Sequence, residues 1–79
     1  MLTPAQVRAA RALLRWSQTE LALRSGVHVN PIKAFESEQS NPMWTTLSKL
    51  ERALKKAGVE FLDGDEKSGP GVRFREPQR

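Results

Sequence analysis

Residues 17–36 read Ser17-Gln18-Thr19-Glu20-Leu21-Ala22-Leu23-Arg24-Ser25-Gly26-Val27-His28-Val29-Asn30-Pro31-Ile32-Lys33-Ala34-Phe35-Glu36. Two short helical patterns stand on either side of Gly26. Ser17 offers an N-cap hydroxyl, and Glu20 three residues later gives the spacing of a capping box. Leu21 and Ala22 fall on the inward face of the first helix, which ends at Gly26, where a left-handed cap needs no Cβ. In the second helix Ile32 and Phe35 point inward, so Asn30, Lys33 and Ala34 share the outer face. Its start is ambiguous. Asn30-Pro31 has the form of a cap followed by a first-turn proline, whereas the turn spacing favours His28. Either way Pro31 lies in the first turn, where its missing N–H is tolerated.

Outward from this stretch the chain continues in the same style. Thr3-Pro4 starts a helix that runs to about Arg15, with Val7, Ala10 and Leu14 on one face. Ser40-Asn41-Pro42 breaks the chain, and a further helix spans Trp44 to Lys56 with Leu47, Leu50, Leu54 and Ala57 at i, i+3, i+7 and i+10. After Gly58 the period shortens. Val59-Glu60-Phe61-Leu62 and Val72-Arg73-Phe74-Arg75 alternate in the manner of strands, separated by a polar, glycine-containing stretch. They form a hairpin with a loose loop, or two strands that pair with a partner chain. An isolated hairpin is marginal in water and must pack on something. Pro77-Gln78-Arg79 is expected to fray.

With 79 residues the chain makes one small domain that needs every apolar face it has. It contains no cysteine and a single histidine, His28, so no disulfide and no cysteine-based zinc site is expected, one histidine makes no metal cluster alone, and no cofactor is expected. There is no run of the roughly 20 apolar residues a membrane span needs and no signal-peptide pattern, so a soluble cytoplasmic protein is expected. No Ser/His/Asp set and no phosphate-cradling glycine loop is present, which argues against an enzyme. The net charge of +4 is unevenly placed: residues 1–33 carry five cations (Arg8, Arg11, Arg15, Arg24, Lys33) and one anion (Glu20), while the eight cations and eight anions of residues 34–79 cancel. A basic half-chain suits a polyanionic partner, although a solvated basic surface has the same composition.

A helix, a glycine turn and a second helix in contact make a helix-turn-helix, whose second helix can enter the DNA major groove. The residues Ser17-Gln18-x-x-Leu21-Ala22-x-x-x-Gly26-Val27-x-x-x-x-Ile32-x-x-Phe35-Glu36, followed by Pro42, closely resemble the Cro/C1-type (XRE) helix-turn-helix family of bacterial and phage regulators. The resemblance covers residue 5 to about residue 57. It implies a mainly α, lambda-repressor-like DNA-binding domain of four to five helices over residues 1–57. Helix 2 would occupy about 18–25 and the recognition helix about 29–37. Residues 58–79 would then form a short C-terminal β-hairpin or β-strand extension. It further implies repression of transcription by a homodimer on an inverted-repeat operator of double-stranded DNA.

Carried over by matching position, the resemblance assigns base contacts to Val29, Asn30, Lys33 and Ala34. Gln18 would lie against a phosphate, with Ser40, Asn41 and Thr45 near the backbone of the other strand. Ser17 and His28 join this phosphate set, as do Arg15 and Arg24, which flank helix 2 and not the recognition helix. Arg11 and Glu36 match a pair bridging helix 1 to the end of helix 3, and as a partly exposed pair it would contribute little by itself. The chain departs from the family pattern at His28, where a small hydroxyl residue is usual, and at Glu38, where glycine is usual. A non-glycine makes a left-handed turn costlier and sets an anion near DNA.

Chemically, an asparagine amide matches adenine N6 and N7, and a lysine reaches guanine O6 or N7. Asn30 serving as a helix cap would turn its amide away from a base, and Lys33 could equally be a solvated charge. Trp16 and Trp44 read as packing residues, Trp44 being the exception if either anchors a partner. Val59, Phe61, Val72 and Phe74 would cover the end of the domain or form a dimer seam. The leading reading is a sequence-specific regulator without room for a ligand-sensing domain, possible autoregulation being implied by the family alone. The alternative is an antitoxin-like interaction module, in which the segment from Val59 to Arg75 orders on a partner protein.

Overall fold

The computed structural model describes residues 2–77. Four helices precede one hairpin: α1 Pro4–Leu14, α2 Gln18–Ser25, α3 Val29–Glu36, α4 Trp44–Lys56, β1 Val59–Leu62 and β2 Gly71–Phe74. The four-helix form of the expected fold is the one adopted. Of the tail expected to fray, Gln78 and Arg79 lie outside the described residues.

Each helix begins where local chemistry starts it. Thr3 accepts from the Gln6 N–H while the Gln6 side chain accepts from the Thr3 N–H, a complete capping box ahead of Pro4. The chain leaves α1 through Arg15, which takes a left-handed conformation with φ 57°. Ser17 caps α2 by accepting from the Glu20 N–H at 3.0 Å. The expected reciprocal bond is not the one made: the Glu20 carboxylate accepts from Arg24 Nε at 2.7 Å, one turn further along. An i,i+4 guanidinium outcompetes a neutral backbone N–H for a carboxylate. Gly26 closes α2 at φ 75°. The start of α3 is resolved in favour of His28, whose Nδ1 accepts from the Asn30 N–H at 3.2 Å.

Leu2, Val7, Ala10, Leu21, Val27, Ile32, Phe35, Leu50, Leu54 and Val59 form a single buried cluster, with Leu14, Trp16, Leu47, Phe61 and Val72 against its margin. The helix α2 packs against both α3 and α4, and the hairpin packs on α1 and α4. The hairpin is paired within the chain, antiparallel, in the register Val59↔Phe74, Glu60↔Arg73, Phe61↔Val72 and Leu62↔Gly71.

That register sets Val59, Phe61, Val72 and Phe74 on one face, the face turned to the helices. It changes the reading of these four as a dimer seam. Val59 is 1% exposed and belongs to the chain's own core, and Phe61 and Val72 pack on the same core. A two-stranded sheet must cover its apolar face, and α1 and α4 are the nearest cover. Val59, in the extension after residue 57, thus shares the core of the helices. On the opposite face Arg73 pairs with Glu60 at 3.0 Å and holds the Glu60 carboxyl below the ordinary carboxylate range.

Two polar side chains that sequence reading passes over fasten this hairpin. The amide of Gln6, buried on α1, donates to both the Leu62 and Gly71 carbonyls at 3.2 and 3.0 Å. Arg75 donates from its backbone to the Gly58 carbonyl and from Nη1 to the Lys55 carbonyl at the end of α4. The Lys55 carbonyl, which also accepts from the Gly58 N–H, thereby gains a second donor.

Candidate nucleic-acid interface

The outer face of α3 presents Asn30 and Lys33 to solvent, with Val29 and Ala34 half-buried beside them. Because His28 takes the cap, the Asn30 side chain is released from that duty and makes no hydrogen bond of its own among the described residues. The Lys33 ammonium is likewise unpaired there. These four positions follow one another at i, i+1, i+4 and i+5, a continuous strip on a helix surface.

What holds that strip in place is a buried carboxylate. Glu36 closes α3 with a side chain only 4% exposed, and Arg11 of α1 grips it with Nε and Nη2 at 2.7 Å each. Arg11 also donates Nη1 to the Trp16 carbonyl, and Arg8 donates to the Glu36 carbonyl. Gln18, at the first turn of α2, adds its Nε2 to Glu36 Oε1 at 3.1 Å. One group thus ties together α1, α2 and α3. The pair bridges α1 to α3 as expected, with the carboxylate more buried than a partly exposed pair implies, and a bidentate contact to a desolvated carboxylate is among the stronger polar interactions. Gln18 spends one amide hydrogen on Glu36, which leaves the second for a phosphate oxygen.

The remaining residues expected at phosphates divide into two groups. Arg15, Ser17, His28, Ser40, Asn41 and Thr45 are all exposed. Ser17 uses its oxygen as an acceptor in the cap, so its O–H remains a free donor, and His28 accepts at Nδ1 and thereby carries its proton on Nε2. Arg24 is different. It pairs with Glu20, lies over the Trp16 ring 5.0 Å from the centroid, and shares a shallow hollow with Lys49, Arg52 and Lys56 of α4. The structure sets it beside α4.

Glu38 adopts φ 62°, the left-handed turn that glycine usually supplies. The turn is secured by bonds from the Ser37, Glu38 and Gln39 N–H groups to the Lys33, Phe35 and Ala34 carbonyls. The exit from α3 is therefore formed in spite of the substitution, at the cost of strain in a non-glycine residue. Beyond it, Met43 and Trp44 are each 75% exposed, while Trp16 is half-buried against the core.

Charge is distributed differently from the half-chain sum. Arg11 and Arg24 are neutralised by Glu36 and Glu20, so Arg15 and Lys33 are the cations of residues 9–33 that keep no anionic partner among the described residues. Among the described residues no three His, Cys, Asp or Glu side chains converge as metal ligands, and no helix is long and apolar enough to cross a membrane.

A comparison with curated proteins finds no match. The family model described as helix-turn-helix does match, over residues 7–61, from the first turn of α1 into β1. That span contains the whole α2–turn–α3 unit, the Glu36 network and the exposed strip of α3. The chain belongs to the Cro/C1-type helix-turn-helix family of DNA-binding transcription regulators.

Proposed function

We propose that the chain acts as a homodimer on an inverted-repeat operator and represses transcription by occupying a promoter, its own included. The observation that carries the sequence-reading part is the α3 strip: an exposed amide and an exposed ammonium, both unpartnered, on a helix fixed from beneath by Glu36. Asn30 reads adenine and Lys33 reads guanine, Val29 touches a thymine methyl, and Ala34 lets the helix approach closely. Arg15, Ser17, Gln18, His28, Ser40, Asn41 and Thr45 hold phosphates and set the register without carrying sequence information. Two copies related by a two-fold axis read half-sites about 10 bp apart, or a multiple of that.

The pairing of the hairpin within the chain favours this reading over a segment that orders only on a partner protein. Dimer contacts then come from the margins of Phe61, Val72 and Phe74 that the core leaves uncovered, Val59 being used up inside. Sedimentation equilibrium of Phe74→Ser tests this seam, which predicts a shift toward monomer. A shift produced by Trp44→Ser and absent from Phe74→Ser would move the seam to the α3–α4 side.

The deciding experiment is selection of bound sequences from random duplex DNA, followed by affinities of Lys33→Ala and Gln18→Ala. The selection is expected to return an inverted repeat. Lys33→Ala is expected to relax one position per half-site at a cost of about 1–3 kcal/mol. Gln18→Ala should weaken all sequences alike. Equal losses of Lys33→Ala on operator and random DNA would remove Lys33 from base readout.

A further inference from the structure

We propose that Lys49, Arg52 and Lys56 of α4 bind the phosphate backbone of the duplex flanking the segment read by α3, as a second, sequence-independent contact. This inference rests on the DNA-binding reading above and assigns it a further surface.

Arg11–Glu36, Arg24–Glu20, Lys55–Glu51 and Arg73–Glu60 are ion pairs between described residues. Three of the cations left without an anion stand at i, i+3 and i+7 on one face of α4: Lys49, Arg52 and Lys56, all exposed. Like charges at this spacing repel and weaken a helix. The one acid among them, Glu51, turns to Lys55. Among the described residues the row is therefore uncompensated, and an anionic partner would relieve it.

Arg24 and Ser25 of α2 and the small Ala53 complete the hollow around these cations. The ring of Trp16 beside it is already covered by the Arg24 guanidinium. The hollow is lined mainly by cationic side chains, of which Arg24 is the one that pairs with an acid among the described residues, and that charge favours phosphate. Thr45, in the first turn of α4, lies on the same helical face at i−4 from Lys49. The face thus starts at a residue proposed to lie near the backbone and continues along the helix. From Lys49 to Lys56 it extends about 10 Å, the axial length of about three phosphates of one strand.

The test compares the full chain with its Lys49→Gln/Arg52→Gln/Lys56→Gln variant on mixed-sequence duplexes of about one and about three helical turns, by fluorescence anisotropy across salt concentrations. Removing three phosphate contacts should flatten the slope of log affinity against log salt by about 2.7 on the long duplex. Between about 50 and 200 mM salt the unmodified chain would then lose about 40-fold more affinity than the variant. On the one-turn duplex the two slopes should nearly coincide. The variant's melting temperature should not fall, because a repulsive row has been removed.

Equal slopes on the long duplex would overturn the proposal and turn attention to an acidic protein partner for this face. Equal flattening on both lengths would overturn its assignment to flanking DNA. Absence of any salt-dependent binding by the unmodified chain would instead fail the DNA-binding reading itself.

Discussion

Arg11→Met tests the claim that Glu36 is the joint of the domain. Arg11 supplies two of the three hydrogen bonds to a carboxylate that is 4% exposed, and its own side chain is 19% exposed. The substitution keeps much of the apolar stem and removes the charge, leaving Glu36 with Gln18 as its one side-chain donor. Breaking a buried pair from one side costs about 3–5 kcal/mol. The partial exposure of Arg11 lets water reach the vacated space, so the low end, about 3 kcal/mol, applies.

A chain of this length is stable by about 4–12 kcal/mol in total. The loss is thus a quarter or more of the whole, and corresponds to a fall in melting temperature of about 12–24 °C. Urea and thermal unfolding of Arg11→Met, Glu36→Gln and the double variant make a cycle in which the two sites should couple by about 1–3 kcal/mol. If Arg11→Met unfolds within about 0.5 kcal/mol of the unmodified protein, the pair is ornamental and the reasoning fails. A second readout separates stability from positioning: operator affinity at a temperature where the variant remains folded should still fall, because Gln18 and the end of α3 share the damaged carboxylate.

Other consequences follow from single residues. Glu38→Gly should relieve a left-handed residue and remove an anion near the proposed DNA, giving a melting temperature that is unchanged or raised together with tighter DNA binding; looser binding would contradict it. Gly26→Ala should do the reverse for stability. Its Cβ would meet nothing within 4 Å, so the expected loss of about 1–2 kcal/mol in urea unfolding is backbone strain alone. Gln6→Leu leaves the Leu62 and Gly71 carbonyls without their shared donor and the Thr3 N–H without its acceptor, and should cost about 1–3 kcal/mol with faster amide exchange in the hairpin and at the start of α1. Glu60 has a folded pKa below its unfolded value, so its contribution is complete above the ordinary glutamate range and disappears as pH falls through the lowered value. Hairpin amide exchange should therefore quicken on acidification, and Glu60→Gln should flatten that dependence.

The sequence was most readable where one residue decides a local conformation. Ser17, Gly26 and the leucine spacing of α4 each have a mechanism that works without the rest of the fold, and α2, its cap and α4 lie where they point. Reading failed where two local solutions competed or where a distant partner decided. The Glu20 carboxylate had a backbone N–H and Arg24 both in reach, and His28 and Asn30 both offered a cap. The role of Gln6 depends on carbonyls more than fifty residues away, and nothing in its own neighbourhood announces them. The charge sum over residues 1–33 misled because it is blind to pairing: Glu36, which cancels Arg11, lies outside that window. At the candidate site, position along α3 showed which side chains face outward, whereas the burial of Glu36 appears only in three dimensions.

The bridge from Gln6 to Gly71 also has a meaning in time. Translation proceeds from α1 toward the hairpin, so the helices of the DNA-reading unit are made while the strands that close over α1 do not yet exist. At about 5–20 residues per second, the 65 positions separating these two residues take roughly 3–13 s to synthesise. Until β2 is made, the Gln6 amide lacks the Gly71 carbonyl and β1 lacks its partner strand. A nascent chain interrupted between α4 and β2 would carry every residue of the recognition strip on an unclosed domain. Such a product is expected to open more readily than the full chain, which limited proteolysis of a chain ended after β1 would show.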